Sequence, residues 1–149
     1  MDECVFCEIV AGRAPASLVY RDDRVTAFLD HRPVTPGHLL VIPNAHLVFL
    51  ADLDERLSGH ILATGMRLAA ALRSSGLPCE GINFFLADGE AAGQEVFHAH
   101  LHVFPRTVGD GFTIGAAAWT KPRPSRADFD ANALMIRNAF ARTSGSRDG

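Results

Sequence analysis

The chain has 149 residues, of which 48% are hydrophobic and 21% are charged, and its formal net charge is −3. This length fits a single domain with a substantial core, and we predict one domain over residues 1–149. The composition argues against a disordered or collagen-like chain, and the charge gives no general attraction to nucleic acid. The acidic start lacks the features of a signal peptide, and every apolar stretch is too short to span a membrane. We therefore expect a cytoplasmic protein without a membrane or nucleic-acid partner.

The first predicted elements are short. Residues 4–11 predict a helix that ends at Gly12, a residue suited to a left-handed stop. Residues 18–20 and 25–29 flank a polar turn, which is typical of a β-hairpin. An apolar run over residues 38–43 ends at a proline and predicts a buried strand.

The longest predicted helix covers residues 52–75, where apolar side chains recur at helical spacing. Asp52 and Glu55 have the spacing of a capping box at its start. Thr64 and Gly65 interrupt the apolar stripe, which indicates that the middle of the helix packs closely against another element.

Two further strands are predicted over residues 82–86 and 96–104, with a glycine-bearing loop between them. A second helix is predicted over residues 125–142, within a C-terminal helix and polar tail that together occupy residues 125–149. The strands are adjacent and the helices are segregated, so we predict an α+β fold with an antiparallel sheet rather than alternating βαβ units.

The last of these strands carries His98, His100 and His102 in alternation with apolar residues. Because side chains alternate between the faces of a strand, the three histidines are expected on one face and the odd residues 97–103 on the other, toward a core. A solvated sheet face is a poor alternative, since such a face usually mixes Thr, Lys and Glu. The spacing argues against one metal ion bound by all three, because the outer pair lies about 13 Å apart at ~3.3 Å per residue.

His100 has a histidine on each side and is the natural reacting group. A neutral imidazole can attack phosphorus when its opposite nitrogen is held by a hydrogen-bond acceptor. The loop from Gly89 to Gln94 lies just upstream, and its backbone N–H groups are suited to a phosphate.

The stretch from Gly93 to Val103 closely resembles the signature of the histidine triad (HIT) superfamily, His-φ-His-φ-His-φ-φ. The resemblance extends over roughly residues 4–112, through blocks at residues 4–12, 22–30 and 36–46 that keep the family's order and spacing. It implies a HIT-like fold: an antiparallel sheet of about five strands, one long helix and a C-terminal helix, with the sheet extended across a homodimer.

The resemblance also implies chemistry at the α-phosphorus of a purine nucleotide, such as a conjugate of AMP. His100 matches the nucleophile that forms a nucleotidyl-histidine, which water then hydrolyses. His102 would contact the phosphate oxygens, and His98 and His38 would support the site. The implied nucleotide-binding residues are Phe6, Ile9, Phe28 and Leu40 for the base, Asp30 for the ribose, and Gly93, Gln94 and Glu95 beside the phosphate.

Two positions depart from the commonest family pattern. Ala87 stands where many members carry Asn or Gln, and Glu95 stands where the best-known members carry Ser or Thr. A carboxylate at position 95 would repel a phosphate unless it is protonated or turned away. Protonation of the leaving group by Glu95 is a further hypothesis.

Cys4 and Cys7 have the two-residue gap of a zinc half-site. The chain has three cysteines, an odd number that argues against a disulfide framework. Buried thiols on a short helix, or a redox pair, are the alternatives. His46 and His98 are the best candidates for the remaining ligands, as in some bacterial HIT proteins, and the zinc ion would then be structural. No organic cofactor is expected.

Several functions share this nucleophile: hydrolysis of nucleoside phosphoramidates, cleavage of dinucleoside polyphosphates, and nucleotidyl transfer. A non-catalytic, zinc-stabilised nucleotide-binding dimer is the alternative, because Ala87 and Glu95 weaken the expected phosphate site. Arg106 follows the triad, where a basic residue could meet extra phosphates. The segment Trp119–Arg123 adds positive charge, for which a solvated loop is the plain interpretation. The resemblance implies a second one, in which this segment approaches the partner subunit's site and tunes the choice of substrate.

Overall fold

A computed structural model of the protein describes residues 4–114 and 121–144. The contacts divide the chain into two compact parts after Phe112, where the predicted core ends. The elements of the first part are α1 (Val5–Val10), β1 (Leu18–Arg21), β2 (Val25–Leu29), β3 (Leu39–Pro43), α2 (Glu55–Ser74), β4 (Gly81–Phe85) and β5 (Leu101–Arg106), with 3₁₀ turns at Leu50–Asp52 and Glu90–Ala92.

The five strands form one sheet in the order β1-β2-β3-β5-β4, and every neighbouring pair is antiparallel. The predicted hairpin is present as β1 and β2, and the predicted α+β class is confirmed. Helix α2 contacts β3 and β5. The extension of the sheet across a homodimer stays a prediction.

Both faces of the sheet are covered with apolar side chains, because successive residues of a strand point to opposite faces. Helix α2 covers one face and α1 the other. The α2-side cluster includes Val25, Ala27, Leu39, Val41, Leu101 and Val103 of the strands with Ile61, Leu68 and Leu72 of the helix. The α1-side cluster is made of Phe6, Ile9, Phe28, Leu40 and Ile42.

Helix α2 lies close to β5 at Gly65, as the small residues Thr64 and Gly65 predict. A Cβ atom at this position would lie 3.0 Å from Leu101 Cδ2 and 3.4 Å from Val103 Cγ2. Thr64 beside it is buried as well. Since Leu101 stands between His100 and His102 in the sequence, this contact sets the depth of the histidine segment.

The predicted capping box at the start of α2 is wrong. The N-cap residue is Asp54, whose Oδ1 accepts the N–H of Leu57 at 2.7 Å. Asp52 instead accepts the N–H of Phe49 at 2.9 Å within the preceding 3₁₀ turn. That turn ends at Asp52, the residue on which the predicted helix began.

The turn between β1 and β2 is tied to α2 by Asp22. Its Oδ1 accepts the N–H groups of Arg24 and Val25, each at 2.8 Å, and its Oδ2 accepts the Tyr20 hydroxyl at 2.8 Å. His60 Nε2 on α2 lies 2.7 Å from Oδ2. Burial opposes ionisation, but these hydrogen bonds outweigh it and hold the pKa of Asp22 well below its usual range.

The predicted strand over residues 96–104 begins late, because β5 starts at Leu101. The pairing of β3 with β5 ends at Val41 opposite Leu101. Beyond it, the Pro43 carbonyl accepts from His98 Nε2 at 2.8 Å, so an imidazole takes the place of a backbone donor. The regular alternation fails here, and Phe97, predicted to face the core, is 47% exposed.

The second part of the chain contains α3 (Arg126–Ser144), so the predicted C-terminal helix is confirmed. Ser125 and Asp128 cap its start reciprocally: Asp128 N–H donates to Ser125 Oγ at 3.1 Å, and Ser125 N–H donates to Asp128 Oδ2 at 3.1 Å. In the segment Trp119–Arg123, only Lys121 onward belongs to the described residues. None of the described helices is long and apolar enough to cross a membrane.

Candidate active site

His100 is held in one tautomer by the backbone. It lies one residue before β5 and is only 7% exposed. Its Nδ1 is 2.7 Å from the carbonyl oxygen of His98, so Nδ1–H donates there and the lone pair is on Nε2. Burial lowers the pKa of His100 below its ordinary value, against the opposing effects of the His98 carbonyl and Asp30. The ring is therefore a neutral imidazole near pH 7, with Nε2 able to act as a nucleophile.

His38 and His102 form a second ordered pair. His38 Nδ1 accepts the N–H of Val34 at 3.0 Å, so a neutral His38 carries its proton on Nε2. That nitrogen is 2.9 Å from His102 Nδ1 and donates to it. The proton of His102 is then on Nε2, which faces away from His38 and can donate to a ligand.

Burial keeps both of these rings neutral. It lowers the pKa of His38, although Asp30 acts in the opposite direction. It lowers the pKa of His102 to about 4, helped by the neighbouring His100 and His38. The ring centroids of His100 and His102 are 4.9 Å apart, so Nε2 of His100 lies on a ring adjacent to that of His102.

Asp30 lies at the end of β2 on the same side of the site. Its Oδ1 accepts the N–H of Arg32 at 2.9 Å, and its Oδ2 is 3.7 Å from His38 Nε2. The latter distance is too long for a hydrogen bond, and Nε2 donates to His102 instead. Asp30 therefore keeps an acceptor oxygen for a ligand beside the histidines.

The four side chains predicted to bind a base are brought together in the α1-side cluster. Phe6, Ile9, Phe28 and Leu40 are each at most 8% exposed, so they pack on one another instead of lining an open cavity. Phe6 also has a contact that the sequence did not predict. Its ring lies edge-on to His100 at 5.2 Å and to His98 at 5.8 Å, which orients both imidazoles.

The glycine-bearing loop is shaped by Gln94. The side chain of Gln94 is 4% exposed; its Oε1 accepts the Gly89 N–H at 2.8 Å, and its Nε2 donates to the carbonyls of Val48 at 2.8 Å and Val96 at 3.2 Å. Gly93 has φ 89°, which favours glycine. Gln94 thus fixes the loop from inside, and its amide does not point to a ligand.

Glu95 and Ala87, the two positions that depart from the family pattern, differ in setting. The Glu95 side chain is 77% exposed and its Oε2 accepts from Arg32 Nη2 at 3.0 Å. Ala87 is 5% exposed and offers no polar group.

Arg106 does not serve as the basic residue that the sequence suggested for extra phosphates. Its guanidinium donates to Asp110 Oδ2 at 2.6 Å, to Asn83 Oδ1 at 2.7 Å and to the Phe112 carbonyl. These groups occupy its donors, so Arg106 stabilises the loop that follows β5. Its partners lie in that loop or on β4, and no pattern in the sequence predicts that they bind Arg106.

Cys4, Cys7, His46 and His98 converge, and one ligand atom from each lies within 4.8 Å of the others. Cys4 Sγ is 3.4 Å and Cys7 Sγ 3.7 Å from His98 Nδ1, and Cys7 Sγ is 3.3 Å from His46 Nδ1. A tetrahedral zinc with bonds of about 2.0–2.3 Å places its ligand atoms about 3.3–3.8 Å apart. Since His98 Nε2 donates to Pro43, its Nδ1 carries the lone pair that a metal needs. The donor set therefore fits zinc.

Sequence reasoning missed two backbone groups on which the site depends. The N–H of Val34 sets the tautomer of His38, and the carbonyl of Pro43 sets that of His98. Every residue carries such groups, so only the fold reveals which of them are used.

Comparison with known proteins agrees with this geometry. The family model described as HIT domain matches residues 11–109. An uncharacterized HIT-like protein of Mycobacterium tuberculosis is 40% identical over 138 residues, which cover 93% of each chain.

Two solved structures are similar to this chain. A Zn-bound histidine triad family protein from Mycobacterium smegmatis is 41% identical, with a TM-score of 0.71 and 97% of both chains covered. A HIT family hydrolase from Legionella pneumophila is 33% identical, with a TM-score of 0.62, and the match covers 76% of this chain and 96% of that one. With the ordered histidines and the antiparallel sheet, these matches show that the chain belongs to the HIT family.

Proposed function

We propose that the protein is a nucleotide hydrolase or nucleotidyl transferase in which His100 Nε2 attacks the α-phosphorus of a nucleoside phosphoramidate or a dinucleoside polyphosphate. One observation carries the proposal: the His98 carbonyl holds Nδ1–H of a neutral His100, which leaves a nucleophilic lone pair beside the donor of His102. The similarity to a protein named as a HIT family hydrolase supports it.

In the first step, a bond forms between His100 Nε2 and phosphorus while the bond from phosphorus to the leaving nitrogen or oxygen breaks. The leaving group departs with that electron pair, and an amine leaving group takes a proton from solvent water. His102 Nε2–H donates to a phosphate oxygen, where negative charge builds up in the transition state. In the second step, water or the hydroxyl group of an acceptor attacks phosphorus and loses its proton to solvent. The bond from phosphorus to nitrogen breaks, and the electron pair returns to Nε2.

The nucleotide would lie across residues that surround these histidines. The free oxygen of Asp30 accepts from the ribose hydroxyls, and the base packs against the rim of the cluster that contains Phe6, Ile9, Phe28 and Leu40. The Gly93 turn, held by Gln94, presents its backbone to the phosphate, and Glu95 flanks it.

We further propose that Cys4, Cys7, His46 and His98 hold a structural zinc ion. Four protein ligands would fill its coordination, and its role would be to fasten α1 to the histidine segment. The Zn-bound relative from M. smegmatis supports this assignment.

We also propose a cytoplasmic homodimer that continues the sheet through β4. This strand is at the end of the sheet, and its residues Phe84 and Phe85 are 38% and 40% exposed. An exposed edge with aromatic side chains is suited to pairing with a second copy.

The test is turnover of adenosine phosphoramidate and of diadenosine tetraphosphate, with His100→Ala as the control. We expect release of AMP from at least one substrate, a nucleotidyl-protein that can be trapped by denaturation during turnover, and loss of both in the variant. Turnover that persists in His100→Ala would refute the assignment of the nucleophile.

A non-catalytic nucleotide-binding dimer is the second candidate. The apolar Ala87 and the carboxylate of Glu95 favour it, because both reduce polar contact with a phosphate. Binding of AMP without turnover of either substrate would support this candidate over the enzyme.

A further inference from the structure

Arg32 connects the two loops that border the histidines. Its backbone N–H donates to Asp30 Oδ1 at 2.9 Å, in the loop after β2. Its guanidinium reaches to Glu95 Oε2 at 3.0 Å, beside the loop that Gln94 holds in place. The positive charge therefore lies between the carboxylate proposed for the ribose and the turn proposed for the phosphate.

The Arg32–Glu95 ion pair is readily exchanged for another partner. The two side chains are 74% and 77% exposed, and solvent-exposed ion pairs of this kind contribute little to the free energy of unfolding. Glu95 contacts Arg32 at one nitrogen, and a guanidinium has five N–H donors in a planar fork. Arg106, by contrast, is occupied by Asp110, Asn83 and the Phe112 carbonyl.

We infer that Arg32 is a specificity-determining residue that binds the second phosphate of the substrate, the one attached to the scissile α-phosphate. The inference rests on the proposed function, which places the α-phosphate beside His100 and His102. A leaving group that begins with phosphate would then lie next to the guanidinium, whose planar fork can bind phosphate oxygens in a bidentate manner. A neutral amine leaving group has no acceptor oxygens for the guanidinium. Dinucleoside polyphosphates and nucleoside diphosphate esters are therefore the preferred class of substrate over phosphoramidates.

Glu95 acts in this scheme as a competitor. It pairs with Arg32 in the free protein and must release it when the second phosphate binds. Its negative charge also repels that phosphate. The carboxylate thus lowers the affinity for a second phosphate, and Arg32 raises it.

Binding of two nucleotides that differ by one phosphate tests the inference without turnover. The ligands are AMP and α,β-methylene-ADP, whose P–C–P link cannot be cleaved, and the method is isothermal titration calorimetry at low salt. The variants are Arg32→Gln, Glu95→Gln and the matched control Arg24→Gln. Arg24 is an exposed arginine at the opposite end of β2.

We expect the wild type and Arg24→Gln to bind α,β-methylene-ADP about tenfold more tightly than AMP, the usual size of one charge-assisted contact. Arg32→Gln should lose most of this ratio, and Glu95→Gln should increase it severalfold. In the double variant Arg32→Gln/Glu95→Gln, the Glu95→Gln substitution should increase this ratio less than it does in the wild type, because Glu95 no longer competes with a phosphate for Arg32.

An unchanged ratio in Arg32→Gln would overturn the inference and leave the proposed function intact. An equal loss of affinity for both ligands would overturn it too, since Arg32 would then support the site as a whole. Failure of the wild type to bind either nucleotide would refute the proposed function, and the inference with it.

Discussion

Replacement of Gly65 by alanine measures how tightly helix α2 holds the histidine segment. In an open helix, Gly→Ala stabilises by about 1 kcal/mol, because alanine loses less backbone entropy on folding. At Gly65, however, the new Cβ would lie 3.0 Å from Leu101 Cδ2 and 3.4 Å from Val103 Cγ2. Carbon atoms in contact prefer about 3.5–4.0 Å, so the methyl overlaps the core.

Overpacking of a dense core costs about 1–3 kcal/mol, which exceeds the gain in helix propensity. We therefore expect Gly65→Ala to lower the free energy of unfolding by about 1 kcal/mol. The same helix supplies a control. Gly59 is exposed, and a Cβ added there would have no neighbouring atom within 4 Å, so Gly59→Ala should stabilise by about 0.5–1 kcal/mol.

Urea unfolding of the two variants beside the wild type, at one zinc concentration, measures both effects. Equal stabilisation by the two substitutions would refute the argument that α2 is in close contact with β5 at Gly65. Displacement of Leu101 should also disturb the histidines on either side of it, so kcat should fall in Gly65→Ala and not in Gly59→Ala.

Three further outcomes follow from single side chains. Asp22→Asn should lower the free energy of unfolding by about 1–3 kcal/mol at pH 7. The pKa of Asp22 is lowered in the folded state, so the stability difference between wild type and variant should be complete above the unfolded-state pKa of about 3.9. It should be lost only as the pH falls through the lower folded-state pKa. A stability difference, measured by urea denaturation, that closes between pH 7 and 5 would contradict this account. Cys7→Ser should reduce bound zinc, measured by elemental analysis, from about one ion per chain to a small fraction; full occupancy would exclude Cys7 as a ligand. His38→Phe frees the tautomer of His102 and should lower kcat about 10–100-fold, less than loss of the donor itself; an unchanged kcat would show that the pair does not order the site.

Local periodicity was enough to predict much of the fold. The apolar runs of β2 and β3, the helical stripe of α2 and the turn after β1 are short-range patterns, and the structure confirms the elements they predict. The start of β5 could not be found this way. It depends on a side chain, that of His98, which bonds the Pro43 carbonyl 55 residues away where a strand would have used its backbone.

Some residues of the candidate site could also be predicted from local spacing, and others could not. The spacing of the three histidines marks the triad, and the two-residue gap marks the pair Cys4 and Cys7. The partners of Arg32 and Arg106 cannot be predicted from spacing, because a long arginine side chain can reach many acceptors and only the fold determines which of them it contacts. The sequence offered Arg106 as a residue that could meet extra phosphates, but in the structure its guanidinium donates to both carboxylate oxygens of Asp110.

His98 makes three separate connections through three different atoms. Its Nδ1 faces the thiols, its Nε2 bonds the Pro43 carbonyl, and its own carbonyl oxygen accepts from His100. The ring of His100 is therefore coupled to the cysteine cluster through the backbone of His98. A cation bound there would shift the ¹⁵N resonance of His100 Nδ1 through one intervening residue, so metal occupancy can be followed by NMR at the proposed nucleophile.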